Sequence, residues 1–513
     1  MQQKLKNLLA LKLMSNSFDF SNYSRQSVKG ILVIYIGQIY KFLKISWILL
    51  FLIFKDLSKF SDVKTNYIYA GTVFLLLFFL GRAYLIYKNF LFKIEDEHFI
   101  LKQGILKKTN TSIPFERIQN VNFKQNLIQQ IINVFEVSLE TAGSSKTEIS
   151  IKAVSLQKAE ALKKIITERA KGEVVIDEKQ EKAKPLVKIG FLELLKVSLT
   201  ENHLQSLFLL FAILIGFFQQ IQQIFDGLGS RELLDGFIDK NTNAVSKSIS
   251  VFVFFLILLI ISAFISSFVK VILNHFNLVA YVRKDAFEIN QGLFTKKSII
   301  LKKQKIQNIT ISTNPIKRII GISFITFKQA VSGKINVKKN KLIRIVGCKI
   351  DQVETIKSSL FDVADLENSE NKYPDYYYKK RLFYIIFLVT ISFYVGFISV
   401  FQIYETLFSL IFVIPLFIFL ILKKVKKKFY KISDSMLIVG SGLIETHLTY
   451  LEFFKVQNIN LKQTVFQEKS KVADLIMQTA SGKITIPCIK LEEAVKIYNH
   501  TLYKVETSQT AWM

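Results

Sequence analysis

Arg117-Ile118-Gln119-Asn120-Val121 is the stretch that decides the fold, because the chain repeats it twice. Each copy has a basic residue, a β-branched residue, Gln, Asn and a second β-branched residue. The other copies are Lys305-Ile306-Gln307-Asn308-Ile309 and Lys455-Val456-Gln457-Asn458-Ile459. A glycine precedes each basic residue by thirteen positions, at Gly104, Gly292 and Gly442. Because these neighbours recur at one offset and the copies lie farther apart than solenoid repeats, the pattern predicts three copies of one domain.

Each unit is predicted to be rich in β-strands and to end in a helix. The residues beside each repeated glycine have turn chemistry, as in Asn290-Gln291-Gly292, where glycine can supply a positive φ. After the pentapeptide, apolar and polar residues alternate, as in Val121-Asn122-Phe123-Lys124, which is typical of a strand with one buried face. Amphipathic stretches at residues 156–166 and 491–503 predict terminal helices. We therefore expect domains of about 80 residues, each large enough for one modest core.

The residues between the copies predict membrane spans. Half of the chain is hydrophobic, 46 residues are Phe, and only 21% are charged. Residues 249–269 are an uncharged run, and about 20 such residues suffice to cross the hydrocarbon core. Six spans in three pairs are expected, at residues 31–54, 67–87, 204–225, 249–269, 382–401 and 406–422. Lys41 and Lys44 leave the start of the first span open, because residues 31–40 could instead form an interfacial helix.

Paired spans before each copy place the three domains on one side of the membrane, together with the N-terminus. Lys423-Lys424-Val425-Lys426-Lys427-Lys428 follows the sixth span, whereas the turn at residues 402–405 has no basic residue. The loop at residues 55–65, with three lysines, argues for the opposite orientation. Because short cytoplasmic segments carry an excess of Lys and Arg, we expect the domains to face the cytoplasm from a bacterial inner membrane.

These features resemble a known family, the bacterial membrane proteins with pleckstrin-homology-like (PH-like) domains of the YdbS/YdbT type. The resemblance is carried by the turn glycine, by Ile113-Pro114-Phe115-Glu116-Arg117-Ile118-Gln119-Asn120-Val121, by Thr141-Ala142-Gly143, and by the alternation of membrane hairpins with domains. Three units match the triple-domain branch. The resemblance implies a split, strongly bent sheet with a C-terminal helix in each unit. It implies no reaction, and a fold alone does not define a function.

The predicted fold class is an α+β multi-domain membrane protein, in which three PH-like split β-sheet domains, each capped by a C-terminal helix, alternate with three transmembrane helical hairpins. The predicted segments are a cytoplasmic N-terminal segment (1–30), hairpins (31–90, 204–273, 382–422), PH-like domains (91–170, 274–362, 423–505), a linker with a juxtamembrane helix (171–203), a second linker (363–381) and a tail (506–513). High charge and one proline each suggest that the linkers are solvated connectors.

The residues that define the repeat are interpreted as structural. Gln and Asn at fixed places could bond a ligand, a partner loop or their own backbone, and buried amides satisfy neighbouring peptide groups well. The repeated basic residue could also reach lipid phosphates, with a solvated side chain as the alternative. The repeat-defining residues are Gly104, Arg117, Gln119, Asn120, Gly292, Lys305, Gln307, Asn308, Gly442, Lys455, Gln457 and Asn458.

Charge distinguishes the middle copy from the other two. Residues 281–360 contain 17 basic and 4 acidic residues, a net charge of +13. Basic residues near the cytoplasmic leaflet gain about 1 kcal/mol each from anionic headgroups, so domain 2 is expected to contact anionic lipid. A solvated, lysine-rich surface is the alternative, and nucleic acid is not expected because no base-stacking aromatic motif is present. The candidate lipid contacts are Lys296, Lys297, Lys302, Lys303, Lys317, Arg318, Lys338 and Lys339.

No sequence motif for catalysis, a metal or a cofactor is present. The five histidines are scattered, and no His-x-x-x-His, Cys-x-x-Cys, phosphate-binding loop, dinucleotide fingerprint or nucleophile elbow occurs. No catalytic, metal-binding or cofactor-binding residue is therefore predicted. Cys348 and Cys488 lie late in separate copies and are expected to be reduced core residues.

Together these patterns predict a non-enzymatic membrane protein that acts as an interaction or assembly scaffold in the cell envelope. Its expected partners are the lipid bilayer, anionic headgroups and other envelope proteins. A component of a lipid or peptide export system is the alternative. This alternative is judged by the polar residues in the predicted spans, because a transporter would carry ionisable residues there. Lys44, Arg82, Glu405 and the glutamine cluster at residues 219–223 are the polar candidates for that role.

Overall fold

The computed structural model describes residues 20–55, 62–141, 149–169, 184–201, 203–227, 229, 231–232, 235–236, 249–329, 343–361, 369–401 and 404–509. The helices in these residues are α1 (Gly30–Lys55), α2 (Asp62–Lys88), α3 (Leu127–Ile131), α4 (Leu156–Arg169), α5 (Phe191–Leu199), α6 (His203–Gly227), α7 (Ile249–His275), α8 (Pro315–Ile320), α9 (Ile350–Ser358), α10 (Tyr376–Phe401), α11 (Leu410–Lys426), α12 (Val465–Lys469) and α13 (Leu491–Thr507).

The strands of domain 1 are β1 (Ser24–Arg25), β2 (Leu91–Glu95), β3 (His98–Gln103), β4 (Thr109–Pro114), β5 (Ile118–Gln125), β6 (Val134–Thr141) and β7 (Ile149–Ser155). Those of domain 2 are β8 (Val187–Lys188), β9 (Val279–Val282), β10 (Ala286–Gln291), β11 (Lys296–Lys302), β12 (Ile306–Thr313), β13 (Ser323–Gln329) and β14 (Ile343–Cys348). Those of domain 3 are β15 (Phe429–Ile432), β16 (Met436–Gly442), β17 (Thr446–Glu452), β18 (Val456–Lys462), β19 (Val472–Thr479) and β20 (Gly482–Lys490).

Each domain contains two antiparallel groups of strands joined by one short 3₁₀ turn. The turns are Phe115–Arg117, Lys303–Lys305 and Phe453–Lys455, which connect β4, β11 and β17 to the second group of their domain. The basic residue of the pentapeptide ends each turn, so the other four residues begin a strand. The repeated motif therefore marks the point where each split sheet bends from its first half to its second, and α4, α9 or α13 closes the unit.

The repeated glycines have the turn geometry that the sequence predicts. Gly104, Gly292 and Gly442 have φ values of +117°, +108° and +128°. A Cβ on Gly292 would lie 2.1 Å from the carbonyl oxygen of Thr295. Both the positive φ and this close backbone approach favour glycine at the turn.

Three apolar cores hold the domains. Domain 1 packs around residues such as Phe92, Phe99 and Leu139, and domain 3 around residues such as Leu475 and Phe453. The core of domain 2 continues past its own strands and includes Met436, Ile438 and Tyr450 of domain 3. Domains 2 and 3 therefore share buried apolar surface, which stabilises them by roughly 25 cal/mol per Å² removed from water.

The segment before each helix pair joins the sheet of the domain that follows it. β1 pairs with β2, β8 pairs with β9, and Lys372 forms a bridge with Tyr430 of β15. In the first predicted linker, residues 170–183 lie outside the described residues and Leu186 packs against the core of domain 2. Part of each linker therefore attaches to a sheet, whereas residues 370–373 of the second linker are exposed, as expected for a solvated connector.

The long helices pack in pairs: α1 with α2, α6 with α7, and α10 with α11. Within the described residues, five helices have a stretch long and apolar enough to cross a membrane: Tyr69–Lys88, Ser206–Gln223, Ile257–His275, Tyr376–Val400 and Leu407–Lys426. These stretches coincide with five of the six predicted spans. The first predicted span is a continuous helix, α1, but it is not among the five.

Candidate functional site

A β-sheet crosses the boundary between domains 1 and 2. β5 pairs antiparallel with β11, with Gln125 opposite Lys296. This pairing joins the two domains into one seven-stranded sheet of order β7-β6-β5-β11-β10-β9-β8. Gln130 of α3 adds two bonds, because its Nε2 donates to the carbonyl oxygens of Leu293 and Phe294 at 3.3 and 3.0 Å.

A second sheet crosses the boundary between domains 2 and 3. β12 pairs antiparallel with β17, with Thr313 opposite Thr446, and the joined sheet has the order β14-β13-β12-β17-β16-β15. The hydroxyl groups of Thr310 and Thr449 lie 3.2 Å apart across this boundary. Cross-strand pairs of this kind each contribute roughly 0.2–1 kcal/mol.

The two junctions have the same register. Gln125 and Thr313 each lie eight residues after the basic residue of their pentapeptide, and Lys296 and Thr446 each lie four residues after their turn glycine. Because a shift of one residue would turn every side chain of a strand to the other face, an identical register means an equivalent interface. The three domains are thus joined head to tail by one repeated contact.

The pentapeptide amides lie at these junctions. Gln307 and Asn308 are both 1% exposed, and Nδ2 of Asn308 donates to Oγ of Ser481 in domain 3 at 2.6 Å. Gln457 and Asn458 hold the same places in β18 and are exposed. Gln119 and Asn120 lie in β5, where only their backbone is described. In copy two, the amides therefore pack and bond between domains.

Lys317 of α8 is buried at the second junction. Its side chain is 3% exposed, its Nζ pairs with Oε1 of Glu445 in the turn of domain 3, and it lies 3.6 Å from the centroid of the Phe324 ring. Burial lowers the pKa of Lys317, against the raising effect of Glu445. Its charge is thus compensated inside the protein, which differs from the lipid contact expected from the sequence.

The basic residues of the pentapeptide differ in their surroundings. Nζ of Lys455 lies 2.5 Å from Oε2 of Glu452, and Lys455 is buried. Burial lowers the pKa of Lys305. Arg117 is exposed. The position therefore has a common place in the fold and no common partner.

One end of each domain adjoins its helix pair. The backbone N–H of Gly292 donates to the carbonyl oxygen of Phe276, just beyond α7, at 2.9 Å. In domain 3, Nζ of Lys427 donates to the carbonyl oxygen of Ile444 in the equivalent turn. In domains 2 and 3, the turns that follow the repeated glycines therefore lie where the helix pairs meet the domains.

Besides those of the long helices, exposed apolar side chains occur on the turns and short helices of the domains. Leu106, at the tip of its turn, is 99% exposed. Lys29, next to α1, donates to the carbonyl oxygen of Ile132, which places α3 at the same end of domain 1. Apolar side chains that project from the turns and short helices form what we call the apolar rim: Leu106, Phe294, Ile444, Ile131, Ile319 and Phe466. A patch of this kind marks an interaction surface, and here it lies beside the apolar helices.

The predicted lipid-contact residues of domain 2 are divided between its two ends. Lys296 and Lys297 begin β11 at the apolar rim, and Arg318 is exposed on α8. Lys302 and Lys303 lie at the other end of β11, roughly 20 Å away at 3.3 Å per residue. Lys338 and Lys339 lie outside the described residues. Of the predicted residues, Lys296, Lys297 and Arg318 thus lie at the end of domain 2 that adjoins its helix pair.

A basic cavity of about 510 Å³ lies between the third helix pair and domain 3. Its cationic lining residues are Arg381, Lys424 and Lys428, and Thr485 and Gly442 line the domain side. Nζ of Lys428 donates to the carbonyl oxygen of Thr485 at 3.0 Å. Burial, and secondarily repulsion from Lys424, lowers the pKa of Lys428 to about 8. The cavity therefore suits an anionic group.

Arg381 also ties α10 to domain 3. Its Nη1 donates to both carboxylate oxygens of Asp474, at 2.8 and 3.2 Å. Asp474 accepts further bonds from the backbone N–H of Cys488 and from Nε2 of Gln467, each at 2.8 Å. Burial alone would raise the pKa of Asp474, but the bonds from Arg381 and Cys488 outweigh it and hold that pKa below its usual value.

Sequence reasoning did not select Arg381, Asp474 or Lys428 as site residues. Lys428 belongs to the lysine run that indicates the orientation of the protein, and Arg381 is the last residue of the second predicted linker, directly before the fifth predicted span. A charged residue at a span boundary was the available signal. Its partner Asp474 is far away in sequence, and no local pattern marks it.

The cysteine prediction is confirmed. Cys348 and Cys488 are both free and buried. Burial raises their thiol pKa values, to about 12 for Cys348 and about 11 for Cys488. Among the described residues, no cluster of three or more His, Cys, Asp or Glu side chains is arranged to hold a metal ion.

The fold and these contacts define a class of membrane protein in which split-sheet PH-like domains alternate with pairs of apolar helices. The family model described as Bacterial PH domain (bPH_2) matches residues 32–170, 209–364 and 384–505, and the chain belongs to this family. Each matched region begins within the first helix of a pair and extends through the domain that follows. The predicted family and its repeated domain are thereby confirmed.

The chain is also similar to a curated relative, the UPF0699 transmembrane protein YdbT of Bacillus subtilis (strain 168). The two are 24% identical over 272 residues, which cover 50% of this chain and 53% of the relative. The chain thus spans about half the length of the curated relative it matches. No solved structure matches the chain.

Proposed function

We propose that this membrane protein is a non-catalytic scaffold of the bacterial inner membrane, on which other envelope proteins assemble. The observation that carries the proposal is the pair of equivalent junctions, at which β5 meets β11 and β12 meets β17. Strand pairing across both boundaries holds the three domains in fixed relative positions. A rigid row of domains beside three helix pairs provides a platform for assembly.

The expected topology follows from how the helix pairs attach. α5 precedes α6 and buries Leu194 and Val197 in the core of domain 2, while α7 leads directly into β9. In the third pair, the backbone N–H of Asp375 bonds to the carbonyl oxygen of Cys488, just before α10. Both ends of a pair thus adjoin one domain, which supports three hairpins with all domains on one side, and the lysine run after α11 favours the cytoplasm.

Crosslinking in intact membranes tests the scaffold role. A photo-crosslinking residue at exposed Tyr503 of α13 should capture a defined envelope protein, and the native complex of that protein should be lost when the chain is deleted. A variant with Arg82→Gln, Glu405→Gln and Gln219, Gln220, Gln222 and Gln223 changed to Leu should restore the complex. If this variant fails although it is inserted and folded, the export alternative is favoured, because only transport requires those polar groups.

A second role, the binding of anionic lipid headgroups, is favoured by the basic cavity and by the lysines at the apolar rim. Lys296 and Lys297 lie beside the exposed Phe294, so insertion of the rim would bring both ammonium groups to the headgroup level. Each basic residue near an anionic surface contributes about 1 kcal/mol. Arg381, Lys424 and Lys428 would hold a second headgroup in the cavity.

The lipid role is tested with the purified full chain in detergent. Short-chain phosphatidylglycerol should raise the unfolding temperature more than phosphatidylcholine does, because a ligand that binds the folded state stabilises it. Lys296→Gln/Lys297→Gln should reduce the rise in unfolding temperature that phosphatidylglycerol causes. The matched pair Lys302→Gln/Lys303→Gln removes the same charge at the far end of β11 and should leave it unchanged. Equal losses in both variants would contradict a placed lipid contact.

A further inference from the structure

Two strand edges are left over by the head-to-tail arrangement. In the part of the chain that the structure describes, β4 of domain 1 is paired on one side only, with β3, and β18 of domain 3 is paired on one side only, with β19. β4 is the counterpart of β11 and β17, and β18 is the counterpart of β5 and β12. Each leftover edge is therefore one half of the junction that the chain already makes twice.

The side chains of β18 show that its outer side is uncovered. Asn460, Leu461 and Lys462 are exposed, whereas their counterparts in β12, Thr310, Ile311 and Ser312, are buried. On β4, Thr109, Asn110 and Ser112 are exposed as well. Unpaired edges of this kind are templates for strand addition.

We infer that β18 of one copy of this chain pairs with β4 of a second copy, in the register of the two internal junctions. Thr310, five residues after Lys305, faces Thr449, seven residues after Gly442. The same offsets place Asn460 opposite Thr111 of the neighbouring copy, Leu461 opposite Asn110, and Lys462 opposite Thr109.

Pro114 does not obstruct this pairing, although proline lacks the N–H that a ladder needs. Its counterparts are Lys302 and Glu452, and neither is paired across a junction. The paired part of β4 therefore carries its backbone N–H groups.

The strand that pairs with each unpaired edge belongs to a second copy of this chain. The junction is heterologous, which means that each molecule offers two different edges and uses both. Such contacts build closed rings or open rows. With the helix pairs of every copy in one bilayer, the row must run in the plane of the membrane. The inference concerns the two edges alone and does not depend on the proposed scaffold role.

Disulfide crosslinking of the full-length protein in intact membranes tests the register. Two differently tagged forms are co-expressed, one with Thr111→Cys and the other with Asn460→Cys, and the membranes are oxidised. The counterparts of these positions, Thr310 and Thr449, have hydroxyl groups 3.2 Å apart, a separation that two cysteines can bridge. The expected result is a product of twice the monomer mass that carries both tags and is abolished by reduction.

The matched control replaces Thr111→Cys by Asn110→Cys, which is adjacent on β4, more exposed, and on the opposite face of the strand. It should give no product with Asn460→Cys. Equal yields from both pairs, or no product from either, would overturn the inference. So would a product within a single chain from the double variant Thr111→Cys/Asn460→Cys, because the two edges would then meet intramolecularly.

A second measurement separates pairing from misfolding. Asn460→Lys places a long charged side chain opposite Thr111 and should reduce the size of the purified complex in detergent to that of one chain, while Asn460→Thr, the residue type found in β12, should preserve it; buried Cys488 should stay inaccessible to a maleimide in both variants. A crosslink that forms only after deletion of residues 1–19 would mean that this segment pairs with one of the edges in the intact chain. The inference would then be wrong.

Discussion

Asn308 and Asn458 hold the same place in the pentapeptide but have different surroundings. Asn308 is buried and bonds to Ser481 of the next domain, whereas Asn458 is exposed on β18. Residue type alone therefore does not determine burial at this position. Burial of an amide is less costly when its bonds are replaced, and Oγ of Ser481 in the next domain accepts the bond from Nδ2 of Asn308.

A substitution at a turn glycine tests the geometry at the scale of one residue. Gly292→Ala should destabilise domain 2 because the new methyl group would meet the carbonyl oxygen of Thr295 at 2.1 Å. Gly321 also has a positive φ, of +74°, but faces open space, so Gly321→Ala should lose only about 1–2 kcal/mol. The measurement is the temperature at which buried Cys348 becomes accessible to a maleimide. Equal shifts for the two variants would contradict the steric argument.

At this scale the sequence predicted the turn glycines and the buried cysteines, because backbone conformation and small apolar side chains leave local patterns. It did not predict the burial of Lys317. A lysine followed by Arg318 in a basic domain has the pattern of a solvated surface, and its partner Glu445 is supplied by another domain.

At the scale of elements, α8 of domain 2 and the turn between β16 and β17 are held together by the Lys317–Glu445 pair. Nothing in either segment alone requires the other. The contact forms because the β12–β17 pairing brings the ends of those strands together. Removal of one member of a buried pair is destabilising by about 3–5 kcal/mol, since the remaining charge is left without compensation.

Glu445→Ala should therefore lower the unfolding temperature, measured by exposure of Cys348 and Cys488, because Lys317 stays buried. The double variant Lys317→Met/Glu445→Gln should recover most of the loss. Asp226→Ala is the matched control, because Asp226 and its ion-pair partner Arg231 are 40% and 59% exposed. Surface pairs contribute about 0–1 kcal/mol, so a control effect as large as that of Glu445→Ala would contradict the prediction.

The sequence predicted the strands but not their partners across domains. Alternation in Val121-Asn122-Phe123-Lys124 indicates which face of β5 is buried, and β5 is indeed a strand with Val121 and Phe123 in the core. Alternation carries no information about which edge is covered. The strand that covers this edge, β11, follows after an intervening helix pair, so local periodicity could not identify it.

On the scale of the whole molecule, the third helix pair and domain 3 form one unit. The Arg381–Asp474 pair and the basic cavity both connect α10 to domain 3. An anion in this cavity would touch helix and domain at once. The titration of Lys428 makes this contact dependent on pH, because the pKa of Lys428 is lowered to about 8 by burial.

The stabilisation by phosphatidylglycerol should therefore fall as pH rises through about 8, because Lys428 loses its charge while the lipid stays anionic. Without lipid, stability should instead rise with pH above about 8, since the unfolded chain keeps a proton that the folded chain has released. Lys428→Arg stays charged and should show a constant lipid increment. The measurement is the unfolding temperature at about pH 7 and about pH 9, with and without lipid. If phosphatidylglycerol raises the unfolding temperature of the wild-type chain equally at both pH values, Lys428 does not contact the lipid.

The sequence was most informative at the largest scale. The repeated pentapeptide predicted three domains of one type, and the apolar runs predicted five helices that the structure shows to be suitable for spanning. The continuous sheets were not predictable, because an interface between repeats uses equivalent positions that differ in residue type and is not marked by a separate motif.

The identical register of the two junctions also means that whole units are interchangeable. β5 of domain 1 and β17 of domain 3 have the complementary edges of one contact, with Gln125 and Thr446 at the matching positions. An in-frame deletion of the middle unit would bring these two edges together in the same register. Duplication or loss of a unit could thus change the length of the row during evolution while the contact that holds it stays the same.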